Sequence, residues 1–448
     1  MQSGAGSNAT RRLLACWGNT DGGRLGHGFQ VIKCLFPRVV AALLNHDATQ
    51  DIAHVACGGA HTAAIAGDGT VFTFGLNDAG QLGHSQHASS VATPMEMLLP
   101  EEATMAAAGY SHTLLLSESG AVWAAGSNAY GQLGLGRDGG AAQPHPRLVR
   151  ALRGERIVGV AAGAHHSLAV SEAGRVFSWG RFGRLGHAAL PGGTPRDEFT
   201  PRLVRALDGV HVSAVAAGLM TSGCVDDRGS AYLWGQRMHQ PVTQVTETVH
   251  TPEEVGGLTG VQSLALGGLH ALAVRAGGRV AAWGADQNGA LGLPSGAPAD
   301  LGRPTLLEDL RCEQVAAGWK HSLGVDAGGR LWAWGWGGSQ GSASAAFPGH
   351  ASEGGQLGLG DDFDYHRPAR VRALQVNDEV LMLQVPGDAH EPGQGLFGAG
   401  DGLGSGGGAS GRSTVWRAVS AAASFNHSAA VVQVPADAWD SIAEALHV

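Results

Sequence analysis

Residues 163–180 read Gly-Ala-His-His-Ser-Leu-Ala-Val-Ser-Glu-Ala-Gly-Arg-Val-Phe-Ser-Trp-Gly. Two short apolar runs, 167–170 and 176–179, flank Ser-Glu-Ala-Gly174. This is the pattern of a β-hairpin, with glycine supplying the positive φ of a tight turn. The stretch recurs along the chain. A Gly-x-x-His-Ser/Thr anchor places His61, His112, His166, His270, His321 and His427, with Thr221 where a histidine belongs in 218–222. The steps between these seven anchors are 51, 54, 55, 49, 51 and 106 residues. Eight residues after each of the first six stands Gly69, Gly120, Gly174, Gly229, Gly278 or Gly329. Fourteen residues after each stands Gly75, Gly126, Gly180, Gly235, Gly284 or Gly335.

A Gly-Gln-Leu-Gly loop follows at 80–83, 131–134 and 355–358, with variants at 23–26, 183–186 and 289–292. A Pro-x-x-Val/Leu stretch and one more short strand, such as 158–162, complete a period of about 50 residues. Four short strands at this period make a propeller blade. The chain opens, at 13–18, on a strand signature with no anchor before it, and closes on an anchor followed by a single strand, 429–434. These half-blades complete one another and remove the open sheet edges. The expected fold is all-β, a seven-bladed β-propeller of four-stranded blades over 13–435, closed by pairing N- and C-terminal half-blades after a tail, 1–12. The 106-residue step reads as one last blade with two loop insertions, about 337–353 and 375–413, the second glycine-rich and mobile. In 436–448, Trp439, Ile442, Ala443 and Leu446 share one helical face and predict a short amphipathic helix.

Composition agrees with this and excludes other classes. The 448 residues include 72 glycines, and charged residues are 15% against 44% hydrophobic, too apolar for a disordered chain. Net charge is −9 with no basic stripe, so neither nucleic acid nor a membrane is an expected partner. No apolar run approaches the ~18–20 residues that cross a bilayer. Five widely spaced cysteines without a CxxC pair suit a reducing, intracellular compartment. Cytoplasm or nucleus is expected, with mitochondrion or chloroplast as the alternative because 1–12 lacks acids and ends in two arginines.

No P-loop, GxSxG, HExxH or CxxC is present, so an enzyme is not predicted, nor any catalytic residue, cofactor or metal site. The six anchor histidines are expected to be structural, each bonded to nearby backbone. The strand-end tryptophans are expected to pack between blades. Protein contact is expected at Trp336, just past its strand end, and at the acidic run Asp361, Asp362, Asp364 and Tyr365. The spacing of these aspartates departs from an EF-hand loop.

The anchor, the Trp-Gly strand end and the Gly-Gln-Leu-Gly loop resemble the regulator-of-chromosome-condensation repeat family over 13–434. Residues 318–338 are similar to plant-type members related to the UV-B photoreceptor. The resemblance implies a seven-bladed propeller closed by both termini, and three functional readings. The first is a non-enzymatic scaffold for protein partners, in organelle gene expression or signalling. The alternative is guanine-nucleotide exchange on a small GTPase, although the founder's wedge insertion lies in an early blade and the insertions here come late. The third is UV-B sensing by anchor tryptophans. The residues after the anchor glycine, or its equivalent, are Gly59, Tyr110, Ala164, Leu219, Gly268, Trp319 and Phe425, so only Trp319 fits.

Overall fold

Seven sheets stand around one axis in the computed structural model, which describes residues 10–44, 51–84, 88–188, 196–236, 248–294, 302–338, 354–383, 413–435 and 442. Blades 1 to 6 span 52–97, 103–148, 157–203, 212–254, 261–311 and 314–370. Each is a four-stranded antiparallel sheet. We letter its strands a to d from the axis outward.

Position in the ring dictates side-chain type. The a strands crowd the axis and are small, as in Ala103–Ala108 and Val212–Ala217. The b strands lie between neighbouring blades and are buried on both faces, as in His112–Ser117 and His166–Ser171. They therefore read as continuous apolar runs without alternation. The d strands form the rim and mix exposed with half-buried residues, as in Ala142–Leu148.

Blade 7 closes the ring. Thr10–Gly18 pairs antiparallel with His427–Pro435, from Thr10↔Pro435 to Gly18↔His427. This strand starts inside the expected tail. Arg417–Ala423 is the inner strand and Cys34–Val39 pairs outside. This sheet has seven strands rather than four. Ala373–Val376 pairs in parallel with Cys34–Val39 and folds back on Glu379–Leu383, with Ser413–Thr414 beyond. Leu374, Val376 and Leu381 are buried in the core of this blade. Residues 375–383 are thus a hairpin covering an apolar edge, not the start of a loop. Nor do the insertions share a blade. The first lies between strands c (Leu331–Gly335) and d (Tyr365–Arg370) of blade 6, and the second leads into blade 7. Residues 339–353 and 384–412 lie outside the described residues. So does the expected C-terminal helix, apart from Ile442, which is buried in the core of blade 7.

The repeat motif is the joint between blades. The sequence predicts nearby backbone as the partner of the anchor histidines, but five of the six find a side-chain hydroxyl instead. All but His166 reach the hydroxyl that follows the anchor of the next blade. His61 Nε2 lies 2.9 Å from Thr113 Oγ1, His112 Nε2 3.0 Å from Ser167 Oγ, and His270 Nε2 2.9 Å from Ser322 Oγ. His321 Nε2 lies 2.9 Å from Ser428 Oγ, and His427 Nε2 3.1 Å from Thr62 Oγ1, which joins blade 7 to blade 1. The hydroxyl proton is already committed. Thr113 donates to Gln81 O at 2.7 Å, Ser167 to Gln132 O at 2.8 Å and Ser428 to Gln356 O at 2.9 Å. These carbonyls belong to the Gly-Gln-Leu-Gly loop of the preceding blade. A hydroxyl has one proton, so the imidazole must be the donor, through Nε2–H.

The strand-end tryptophans add to the same joint. Trp17 Nε1 donates to Gln356 O at 2.9 Å, Trp179 Nε1 to Gln132 O at 2.8 Å and Trp334 Nε1 to Ala290 O at 2.9 Å. They pack between blades, as the sequence predicts, with indoles aimed at the carbonyl that the hydroxyl uses. Glycine is required where backbone crosses this joint. Gly126 has φ +108°, and a Cβ there would lie 2.5 Å from Ser111 O and 2.7 Å from His112 Cα.

Two outcomes follow for stability. Gly126→Ala adds this clash to the cost of positive φ, roughly 1–3 kcal/mol. Gly154 also has positive φ, but nothing lies within 4 Å of its added Cβ. In urea titrations Gly126→Ala should lower the midpoint well beyond Gly154→Ala, and equal losses would contradict the packing account. The second outcome concerns acid. Burial pushes His61 and His270 down to about 4, and His112 and His321 to about 3. Among the described residues Nδ1 of His61, His112 and His321 has no hydrogen-bond partner to stabilise a second proton. Below the ordinary value of ~6.5 the unfolded chain binds protons that the folded one refuses. Stability is therefore full above that value and falls as pH drops toward 4. Urea midpoints from pH 8 to 4.5 should show this fall, and His112→Gln/His321→Gln should flatten it.

Candidate functional site: the channel mouth on the anchor face

The a–b loops and the c–d loops of every blade emerge on one face, and the short b–c turns on the other. The anchor face is the elaborated one, because the c–d connections, such as 181–197 and 336–364, are long while the b–c turns, such as 67–70, are tight. The second residue of each a–b loop lines the central channel. Gly59, Tyr110, Ala164, Leu219, Gly268, Trp319 and Phe425 surround a lumen of about 70 Å³. So narrow a lumen places recognition at its mouth rather than inside.

Backbone hydrogen bonds around the lumen hold these residues in place. Gly59 N–H donates to Gly109 O, Leu219 N–H to Gly267 O, Gly268 N–H to Gly318 O and Trp319 N–H to Ser424 O. The first anchor residue must be glycine because a Cβ on Gly109, Gly163 or Gly267 would lie 2.5 Å from the carbonyl of the next blade. Ser424 is the exception, and its hydroxyl donates to Gly58 O.

Larger residues at the second position meet across the glycines. Their rings form an arc. Trp336 packs edge-on against Trp319 at 5.8 Å, Trp319 lies 6.0 Å from Phe425, and Phe425 5.2 Å from Tyr110. Tyr110 lies 5.9 Å from His165, which lies 4.9 Å from Tyr130. A cation stands at each end. Lys320 Nζ is 4.5 Å from the Trp319 centroid and 5.4 Å from that of Trp336. The Arg181 guanidinium is 4.7 Å from the Tyr130 centroid. Burial lowers the Lys320 pKa, and nearby Asp364 opposes that shift. Burial also holds His165 near 4, helped by Arg184 and Arg181, so at neutral pH it is an uncharged ring.

The residues singled out in the sequence divide. Trp336 is 3% exposed, buried under Lys320 and Trp319 rather than offered to solvent. Asp361 Oδ2 accepts the Tyr365 hydroxyl at 2.9 Å, and burial with this bond raises Tyr365 to about 12. Asp362 pairs with Lys33 of blade 7 at 3.3 Å. Asp364 accepts Gly337 N–H at 2.9 Å and Asn288 Nδ2 of blade 5 at 2.8 Å. The acidic run therefore stitches blades 5, 6 and 7 at the return of the long c–d loop, and the apolar Phe363 is its exposed member. The anchor histidines are the blade joints described above. Sequence reasoning did not assemble Tyr110, His165, Tyr130, Lys320, Arg181 and Phe425. The signal was present, since residues at one repeat position point to one axis.

Among the described residues no three His, Cys, Asp or Glu side chains converge to hold a metal ion, and no helix is long and apolar enough to cross a membrane.

Known proteins share this architecture. The family model described as RCC1-like domain matches residues 13–390. The chain is 30% identical over 375 residues to the ultraviolet-B receptor UVR8 of Arabidopsis thaliana, covering 82% of this chain and 79% of that protein. It is 29% identical over 403 residues to the secretion-regulating guanine nucleotide exchange factor of Bos taurus, covering 82% and 80%. The crystal structure of Prp20p from Saccharomyces cerevisiae aligns with a TM-score of 0.72 at 20% identity, over 98% of this chain and 95% of that one. That last likeness is one of fold. The family model's match over residues 13–390, on a ring of seven blades closed by both termini, makes this chain a member of the RCC1-like family of seven-bladed propellers.

Proposed function

We propose that this protein is a non-enzymatic scaffold that docks a protein partner on its anchor face, over the ring-lined channel mouth. The arc from Trp336 to Tyr130 with Lys320 and Arg181 at its ends carries the reading. Aromatic and arginine side chains, rigid and partly desolvated, supply most of the energy in protein interfaces. Loops on a rigid scaffold supply the specificity. The proposed compartment is intracellular, in cytoplasm or nucleus before an organelle, and five free, buried cysteines support that.

A second reading is regulation or nucleotide exchange of a small GTPase. The relative from Bos taurus is named as a guanine nucleotide exchange factor, and Prp20p is described with its binding to Gsp1p and histones. Exchange requires a docked face that distorts the GTPase, not an acid, base or nucleophile. It therefore places the partner on the same mouth.

Affinity capture with the tagged full chain, followed by titration of the recovered partner, tests both. Trp319→Ala and Lys320→Glu should each weaken binding by at least about tenfold, the scale of an interface hot spot, with an unchanged circular dichroism spectrum. Binding equal to the wild type in both variants would remove the mouth as the docking site. Acceleration of fluorescent GDP release from a panel of small GTPases would select the exchange reading, and no acceleration would leave the scaffold.

A further inference from the structure

Where blades 2, 3 and 4 meet, the mouth carries two arginines three residues apart. We propose that Arg181 and Arg184, framed by Tyr130 and His165, form a binding site for an oxyanion carried on an extended acidic segment of a protein partner.

The repeat supplies its own control. Arg184 occupies the second position of the Gly-x-Leu-Gly loop, where glutamines close on their own loops. Gln81 Oε1 accepts Ala79 N–H and Gln132 Oε1 accepts Tyr130 N–H, both at 2.9 Å. The other arginine at this position, Arg24, is 2% exposed and satisfied inside the protein. Its Nε donates to Asp21 O at 2.7 Å and its Nη1 to Gly59 O at 3.5 Å. Arg184 differs. Its Nη1 is shielded from solvent and has no hydrogen-bond partner among the described residues. A charged donor buried without an acceptor is costly, and an anion removes that cost.

Arg181 supplies the second cation. It is exposed, lies over the Tyr130 ring, and has no ion pair among the described residues. Its backbone N–H donates to His165 O at 2.8 Å, which fixes it to the channel ring. The neighbouring acid, Asp197, accepts Phe182 N–H at 2.8 Å and so braces the loop that carries both arginines. The cavity beyond is about 560 Å³ and runs from these arginines past Asp197 to Met220 and Thr248 of blade 4. That volume suits several side chains of an extended segment rather than a lone ion. Two guanidiniums lining one cavity offer forked donors of the kind by which arginine recognises carboxylate or phosphate. In a chain of net charge −9, long-range attraction for acids is absent, so the local pair must supply the selection.

This site rests on the anchor face being the docking face, but an isolated peptide tests it without the natural partner. The probes are three fluorescein-labelled twelve-residue peptides, glutamate-rich, phosphoserine-bearing, and neutral with glutamine in place of each acid, titrated into the full chain by anisotropy. The acidic peptides should bind and the neutral one should not. Arg184→Gln and Arg181→Gln should each weaken binding by about tenfold or more, with stronger salt weakening it further. Arg150→Gln, on another part of the surface, should bind as wild type does. Competition by inorganic phosphate against the phosphoserine peptide alone would identify phosphate as the anion, and preference for the glutamate peptide would identify carboxylate. If Arg184→Gln fails to fold, the exposed Arg181→Gln decides. Equal binding of neutral and acidic peptides, no binding of either acidic peptide, or wild-type affinity in Arg181→Gln would overturn the proposal. Trp319→Ala separates the two ideas, since it should impair partner capture and leave peptide affinity unchanged.

Discussion

At five of the seven junctions one buried hydroxyl holds a blade to the one before it. It gives its proton to a loop carbonyl of the preceding blade and accepts Nε2–H from that blade's anchor histidine. The loop, the histidine and the hydroxyl must therefore come from two blades at one relative height and angle. Each such bond contributes on the order of 1 kcal/mol net, but leaving any buried member unpaired costs more. The three positions consequently stand or fall together. At the junction from blade 4 to blade 5 they have fallen together. Thr221 replaces the histidine, Ala271 replaces the hydroxyl, and 235–239 lacks the Gly-x-Leu-Gly loop. His166, one blade earlier, does not reach the Ser222 hydroxyl, although Ser222 still donates to Arg184 O at 2.7 Å. What reads in the sequence as scattered divergence is the loss of a single joint and the slackening of its neighbour.

The same constraint prepares the mouth. Because the joint fixes the a–b loop, the residue after the anchor glycine always faces the channel. Glycine at 59 and 268 leaves space there, and the Tyr110 and Trp319 rings lean into it, since a Cβ at those positions would lie 2.8 Å and 2.4 Å from ring carbons. The structural repeat thus delivers seven side chains to one circle while leaving their identity free. Function on this fold is written in residues that the joint positions but does not use. The anchor histidines themselves are committed to the fold.

Much of this was legible in the sequence. Spacing of Gly-x-x-His-Ser/Thr, with glycines eight and fourteen later, identified the hairpin, the blade and the count. The half-blades at the two ends identified the closure, because an unpaired strand at each terminus has only the other to satisfy it. Less legible was the hairpin Ala373–Val376 with Glu379–Leu383, since its pairing with Cys34–Val39 joins residues more than 300 positions apart and leaves no local period. The acidic run looked like a surface for a protein partner because nothing local reveals that Asn288, Lys33 and Gly337 come to meet it.

The sequence by itself determined the architecture, because a repeat writes the same local bonds in every blade and a ring of them has one way to close. The tertiary structure alone decided which side chains are neighbours across blades. It buried Trp336 beneath Lys320, set Arg181 on Tyr130 and left Arg184 Nη1 without an acceptor among the described residues, where Arg24 has two. These contacts join residues of different strands and repeats near the ring's axis. Their distances follow from the curvature of the whole ring, which no single period contains.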